Sequence, residues 1–192
     1  MACVTFATLK PMKIDAIPMA DQYSGYLITD ETTHEAILID PFHEETKIQS
    51  LIDQHQAKIK YLILTHYPTE HTSSALPYLL RQFGTEVIIH ENDSENLNLG
   101  SRDPLKMEVR GGESLNIGGK PIKLLFTPGI TSGSMCIFIE NALFTGPLRF
   151  DKVALNIDPF TGITKEEIYK GYMRVAKLPE TSAVYPGTSN MP

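Results

Sequence analysis

The stretch Tyr61–Ser74, YLILTHYPTEHTSS, constrains the fold more than any other part of the chain. Tyr61-Leu62-Ile63-Leu64 is an apolar run with the length of a buried strand. From Thr65 to His71 the chain turns, crowding His66, Glu70 and His71 together. Beyond it Ala75, Leu76, Leu79, Leu80 and Phe83 fall on one helical face. Two imidazoles and a carboxylate thus sit between a strand and a helix, where α/β folds place their chemistry.

The flanking sequence supplies more strands than helices. Lys13–Ile17, Gly25–Thr29 and Ala36–Asp40 read as strands, the last two joined by the polar link Asp30–Glu35, in which His34 reads as a solvated loop residue. Thr46 is a candidate N-cap for a helix carrying Ile48, Leu51, Ile52 and His55 at helical spacing. Pro77 fits only in the first turn of the helix after the His loop, with a cap near Ser73 or Ser74. Glu86–His90 is another buried-type strand, and the polar run from Asn92 to Arg110 reads as a surface excursion. Turn signals at Gly111-Gly112 and Gly118-Gly119 bracket Ser114–Ile117. Strands are predicted over Pro121–Phe126, Met135–Glu140, Ala142–Thr145 and Ala183–Tyr185. Thr164 and Glu167 form a capping box opening a helix whose apolar face carries Ile168, Tyr172, Met173 and Ala176. The mixture predicts helices packed outside two sheets in one domain spanning residues 1–192, and not a regular βαβ series.

Charge and composition narrow the partners. A formal net charge of −6 with no Lys/Arg cluster argues against nucleic acid or an anionic membrane. No apolar run reaches membrane-spanning length, and the N-terminus lacks a signal-peptide pattern. Cys3 and Cys136, far apart, read as free thiols in a reducing, cytoplasmic setting.

THYPTEH, residues 65–71, resembles the T-H-x-H-x-D-H signature of the metallo-β-lactamase superfamily. Further landmarks follow in the family's order. Ala36–Pro41 is similar to its strand ending in Asp, and Phe126–Ser134 (FTPGITSGS) to its T-P-G-H-T-x-G-S motif. Ala142–Pro147 (ALFTGP) is similar to L-F-x-G-D, and Tyr185–Thr188 (YPGT) to the closing P-G-H. The wording is nearest the glyoxalase II-like thioester hydrolases. The resemblance spans about Lys13 to Thr188 and implies an α/β (α+β) fold, a four-layer αββα sandwich of two mixed β-sheets flanked by helices.

In that family seven side chains hold two zinc or iron ions that activate a water. The resemblance implies that only His66, Glu70 (for Asp) and His71 keep a ligand type here. Pro68, Ile130, Pro147 and Thr188 stand at the other ligand positions, while Asp40 corresponds to a residue that supports the site without binding metal. Catalytic zinc needs three protein ligands and an open position. Ile and Pro carry no donor, and a Thr hydroxyl is a poor one. The expectation is therefore no dinuclear centre, at most one weakly held ion at His66, Glu70 and His71, and no resident cofactor. The leading reading is a non-catalytic or metal-independent descendant whose former site, lined by Asp40, His43, Tyr67, Pro68, Ile130, Pro147 and Thr188, is a drier cleft for a small molecule with an apolar part or for a protein partner. Two other readings stand beside it. One is a thioester or acyl hydrolase with a rebuilt mononuclear zinc or iron site that recruits His43 or Asp151 (Asp158 is also available). The other is a metal-independent enzyme using His66 or His71 as general acid/base. The expected assembly is a monomer or homodimer, and the short stretch after Thr188 disfavours a glutathione thioester as substrate.

Overall fold

The computed structural model describes residues 12–19, 23–67, 75–97, 106–148 and 162–188. The first sheet contains β1 (Met12–Pro18), β2 (Ser24–Asp30), β3 (Glu35–Ile39), β4 (Lys58–Ile63), β5 (Glu86–His90) and β6 (Lys106–Val109), in that order. The β1–β2 and β2–β3 pairs are antiparallel, and the rest of this sheet is parallel. Ala36–Ile39 of β3, Leu62–Ile63 of β4 and Val87–Ile89 of β5 are buried on both faces of the sheet, which is why they read as continuous apolar runs. Helices α1 (Glu45–His55) and α2 (Leu76–Phe83) connect β3 to β4 and β4 to β5. The second sheet has the order β11 (Ala183–Pro186), β10 (Ala142–Gly146), β9 (Met135–Ile139), β8 (Lys120–Phe126), β7 (Ser114–Ile117). Only the β10–β11 pair in it is parallel.

Side chains alternate along each strand, so each sheet feeds two cores. Leu27, Leu38, Leu62, Val87 and Ile89 pack with Ile48, Ile52, Leu76 and Leu79 of α1 and α2. Their strand neighbours Ile28, Ile37, Ile39, Ile63 and Ile88 face Ile117, Ile122, Leu124, Ile137 and Phe144 of the second sheet. Cys136, Phe138 and Leu143, on the far face of that sheet, meet Leu148, Val175 and Leu178. Val175 ends α4 (Lys165–Val175). Three cores between four layers make the αββα sandwich, each buried aliphatic contributing about 1.5–3 kcal/mol over exposure.

Several expectations hold and several are corrected. The Thr164–Glu167 capping box is complete, Glu167 N–H donating to Thr164 Oγ1 at 3.2 Å and Thr164 N–H to Glu167 Oε2 at 2.8 Å. The buried face of α4 differs from the prediction. Gly171 is its buried residue, set close against Thr127 and Pro128, whereas Met173 is 41% exposed. A small residue is what lets the helix approach the loop that follows β8. The cap of α1 is Glu44, in the left-handed region and without a side-chain bond, not Thr46. The cap of α2 is Ala75, whose N–H donates to Phe42 O at 2.9 Å; Ser73 and Ser74 lie outside the described residues. The described parts of the stretch 92–110, residues 92–97 and 106–110, are not simply a surface excursion. The short helix α3 (Glu91–Ser94) buries Asp93 and Ser94, and β6 extends the first sheet. His34 is half-buried rather than solvated, its Nδ1 2.9 Å from His55 O. Cys136 is a free buried thiol, pushed up to about 12 by burial; Cys3 lies outside the described residues. Among the described residues no helix is long and apolar enough to cross a membrane.

Candidate functional site

The carboxyl ends of β3, β4 and β5 lie side by side, delivering Asp40, Thr65 and His90 to one edge of the first sheet. Asp40 is in the left-handed region (φ 48°), uncommon for a non-glycine residue, and it is buried. Its carboxylate accepts from Thr65 N–H at 2.8 Å and from Thr65 Oγ1–H at 2.6 Å. Burial pushes the Asp40 carboxyl upward, against the pull of the neighbouring His66 imidazole and the two Thr65 bonds. Thr65 Oγ1 is also 3.0 Å from His66 Nδ1. Since the threonine's one hydroxyl proton goes to Asp40, its contact with His66 uses a lone pair, and His66 Nδ1–H donates. In neutral His66 the lone pair therefore sits on Nε2. The half-buried ring is held edge-on by Phe42, with centroids 5.5 Å apart.

The second sheet supplies the opposite wall through the loops after β8, β10 and β11. Met135 N–H donates to Thr65 O at 2.7 Å, which stitches β9 to the loop after β4. Gly146, at φ +55°, packs directly on the Thr65 side chain, where a Cβ would clash. Gly187 N–H donates to Gly146 O at 2.6 Å, so Pro147 and Thr188 project from two loops bonded to each other. Both are half-buried, and Thr188 forms an isolated bridge with Tyr23. Tyr26 Oη–H donates to Pro186 O at 2.6 Å and its ring packs edge-on against Phe144 and Tyr185. Burial, with the Tyr185 and Asp40 charges, pushes this phenol up to about 12. Ile130 is 48% exposed at the tip of the loop after β8.

The structure thus brings Asp40, His66, Tyr67, Ile130, Pro147 and Thr188 to loops that bond or pack on one another. His43 is half-buried beside Phe42, whose ring packs edge-on against His66. Pro68, Glu70, His71, Asp151 and Asp158 lie outside the described residues. Among the described residues no group of three or more His, Cys, Asp or Glu side chains is placed to hold a metal ion. Two site-edge residues escape a sequence reading. Asp93 is buried behind Tyr67, accepting its N–H at 2.8 Å. His90 stacks on Phe126 with centroids 4.3 Å apart. The available signal was their position, at and just after the end of a buried strand.

A family model described as the metallo-β-lactamase superfamily matches residues 19–187. The chain belongs to the metallo-β-lactamase superfamily. Among its relatives is the protein named probable polyketide biosynthesis zinc-dependent hydrolase PksB of Bacillus subtilis, 27% identical over 90% of this chain and 77% of that protein. The cytoplasmic hydroxyacylglutathione hydrolase of Arabidopsis thaliana is 33% identical over 92% of this chain and 67% of its own length. The chain spans about half, 53%, of the hydroxyacylglutathione hydrolase of Shewanella pealeana. Among solved structures, ETHE1 from Myxococcus xanthus superposes with a TM-score of 0.74 at 24% identity, over 93% of this chain and 76% of that one. TTHA1623, solved in a di-iron-bound form, gives 0.69 at 20% identity over 91% and 92%. These likenesses show the fold. The Bacillus, Arabidopsis and Shewanella relatives carry hydrolase names, zinc stands in the name of PksB, and iron in the TTHA1623 structure.

Proposed function

We propose that this metallo-β-lactamase-fold chain uses its cleft to bind a small molecule with an apolar part and holds no dinuclear metal centre. The carrying observation is Ile130. It stands where the family motif has histidine, and it is 48% exposed at the tip of a loop joined to the His66–Tyr67 loop through the Asp93 carboxylate. Pro147 and Thr188, at two further ligand positions, lie on the adjoining Gly146 and Gly187 loops. An isoleucine, a proline and a neutral hydroxyl do not fit a site for two divalent ions, whose ligands must be carboxylate, imidazole or thiolate. They fit an apolar acyl chain, with the His66 imidazole as a polar anchor. The reading places the protein in the cytoplasm, acting as a monomer or homodimer without nucleic acid or membrane. Thermal shift with octanoate and acetate tests it: octanoate stabilises the protein in chelator and acetate does not. Equal response to both, or to neither, contradicts it.

A second reading is favoured by the relatives' names and by the Nε2 lone pair of His66. Here His66, Glu70, His71 and a further residue such as His43 or Asp151 would hold one zinc or iron ion, which would supply a Lewis acid for hydrolysis of a thioester or related acyl compound. Asp40 and Thr65 orient His66, while Ile130 and Pro147 exclude water from the acyl chain. Hydrolysis of an acyl thioester that is abolished by chelator and restored by zinc or iron favours this reading over the first.

A further inference from the structure

Among the described residues the Asp93 carboxylate accepts three hydrogen bonds, from the loop after β4 and the loop after β8. Oδ2 accepts from Tyr67 N–H at 2.8 Å, in the loop after β4, and from Thr131 Oγ1–H at 2.5 Å, in the loop after β8. Oδ1 accepts from Gly133 N–H at 2.8 Å. The carboxylate is 1% exposed, and Gly133 comes so close that a Cβ there would clash with it. From the same helix Asn92 Nδ2–H donates to Ser132 O at 3.1 Å. The Thr131 turn is braced internally, its N–H donating to Ser134 Oγ at 2.9 Å. Thr131 directly follows Ile130, and Tyr67 directly follows His66.

We infer that Asp93 is a positioning residue that locks the Ile130 loop to the His66–Tyr67 loop, fixing the width of the cleft before a ligand arrives. This use of the cleft rests on the ligand-binding reading above. The chemistry requires a carboxylate. Three donors converge on two acceptor oxygens, and an amide in this place offers one oxygen while turning an N–H₂ toward a donor. Among the described residues the side-chain hydrogen bonds of Asp93 and Thr131, besides the one between them, go to Tyr67, Gly133 and Ser134, so the pair acts on the cleft through loop geometry. A preformed cleft avoids the cost of ordering its walls on binding.

The test is amide hydrogen exchange on the full chain, read residue by residue by NMR, with octanoate affinity measured in parallel. In Asp93→Asn the Tyr67 and Gly133 amides are expected to exchange at least about tenfold faster, while strand amides such as Leu38 and Ile137 keep their protection. Octanoate binding is expected to weaken together with that local loss. Thr131→Val is expected to give a smaller version of both effects and Thr131→Ser to restore them, and this pair decides the matter if Asp93→Asn does not fold. Unchanged protection at Tyr67 and Gly133 overturns the inference. So does a uniform loss across the strands, because it assigns Asp93 to general stability. If the unaltered protein binds no octanoate, the ligand-binding reading fails, while the exchange pattern still decides whether Asp93 couples the loops.

Discussion

The Thr65 hydroxyl lies 2.6 Å from Asp40 Oδ2 and 3.0 Å from His66 Nδ1, so one proton must choose between two acceptors. It goes to the carboxylate, and that choice sets the proton on His66. In Asp40→Asn the introduced amide N–H₂ donates to Thr65, freeing the hydroxyl proton for His66 Nδ1. Neutral His66 is expected to switch from the Nδ1–H to the Nε2–H form, which ring ¹⁵N shifts distinguish. An unchanged tautomer would show that Thr65 does not transmit the charge of Asp40.

Thr65→Val removes the donor to Asp40 Oδ2 while keeping the shape. Leaving a buried carboxylate oxygen without its partner costs about 1–3 kcal/mol. Urea denaturation is expected to show a loss of that size, and no loss would mean that water takes over the bond.

At the opposite end of the sandwich Lys120 Nζ is 2.7 Å from Asp30 Oδ2, with both residues buried. Burial alone would raise the Asp30 carboxyl, but bonds from Lys120, Thr33 and Thr32 together lower it from 3.8 to about 2. A lowered acid contributes stability above its unfolded value and loses it as the pH falls through the folded one. The stability held by the Asp30 carboxylate and all its bonds together therefore disappears between about pH 4 and pH 2, and is worth about 2 kcal/mol by linkage. Lys120→Met strands the carboxylate and is expected to cost about 3–5 kcal/mol at pH 7. Unfolding midpoints across this range check both figures.

His90 accepts Asn92 N–H at Nδ1 and donates from Nε2 to Arg110 O at 3.1 Å, an arrangement that requires the neutral ring. Burial lowers its pKa, outweighing the Arg110 bond and the nearby acids. The unfolded chain therefore takes up this proton first as the pH drops below about 6.5. Stability is expected to fall as the pH drops below about 6.5, and His90→Gln is expected to flatten that slope. An identical slope in the variant would place the effect elsewhere.

The layers were legible because they rest on period. Ala36–Ile39, Leu62–Ile63 and Val87–Ile89 belong to short apolar runs bounded by turn signals, as buried strands are, and the Gly118-Gly119 turn joins β7 to β8 where the glycines stand. The loops that make the site were legible through their glycine and proline punctuation. What stayed hidden was long-range pairing. Asp93 lies in a polar run that looks solvated, and only the fold brings it against Gly133, forty residues on. The caps of α1 and α2 were misplaced for a related reason. Glu44 and Ala75 start their helices through backbone geometry and a bond to Phe42 O, which no cap residue announces.

Metal content most directly tests the central claim, that Ile130, Pro147 and Thr188 leave no dinuclear site. Protein is produced in zinc- and iron-supplemented medium, dialysed, and analysed for both elements. The account predicts less than about a tenth of an equivalent per chain, since a site lacking ligands does not retain a metal through dialysis. It also predicts that metal uptake rises in a variant combining Pro68→His, Ile130→His, Pro147→Asp and Thr188→His. Two equivalents surviving dialysis in the unaltered protein would contradict it.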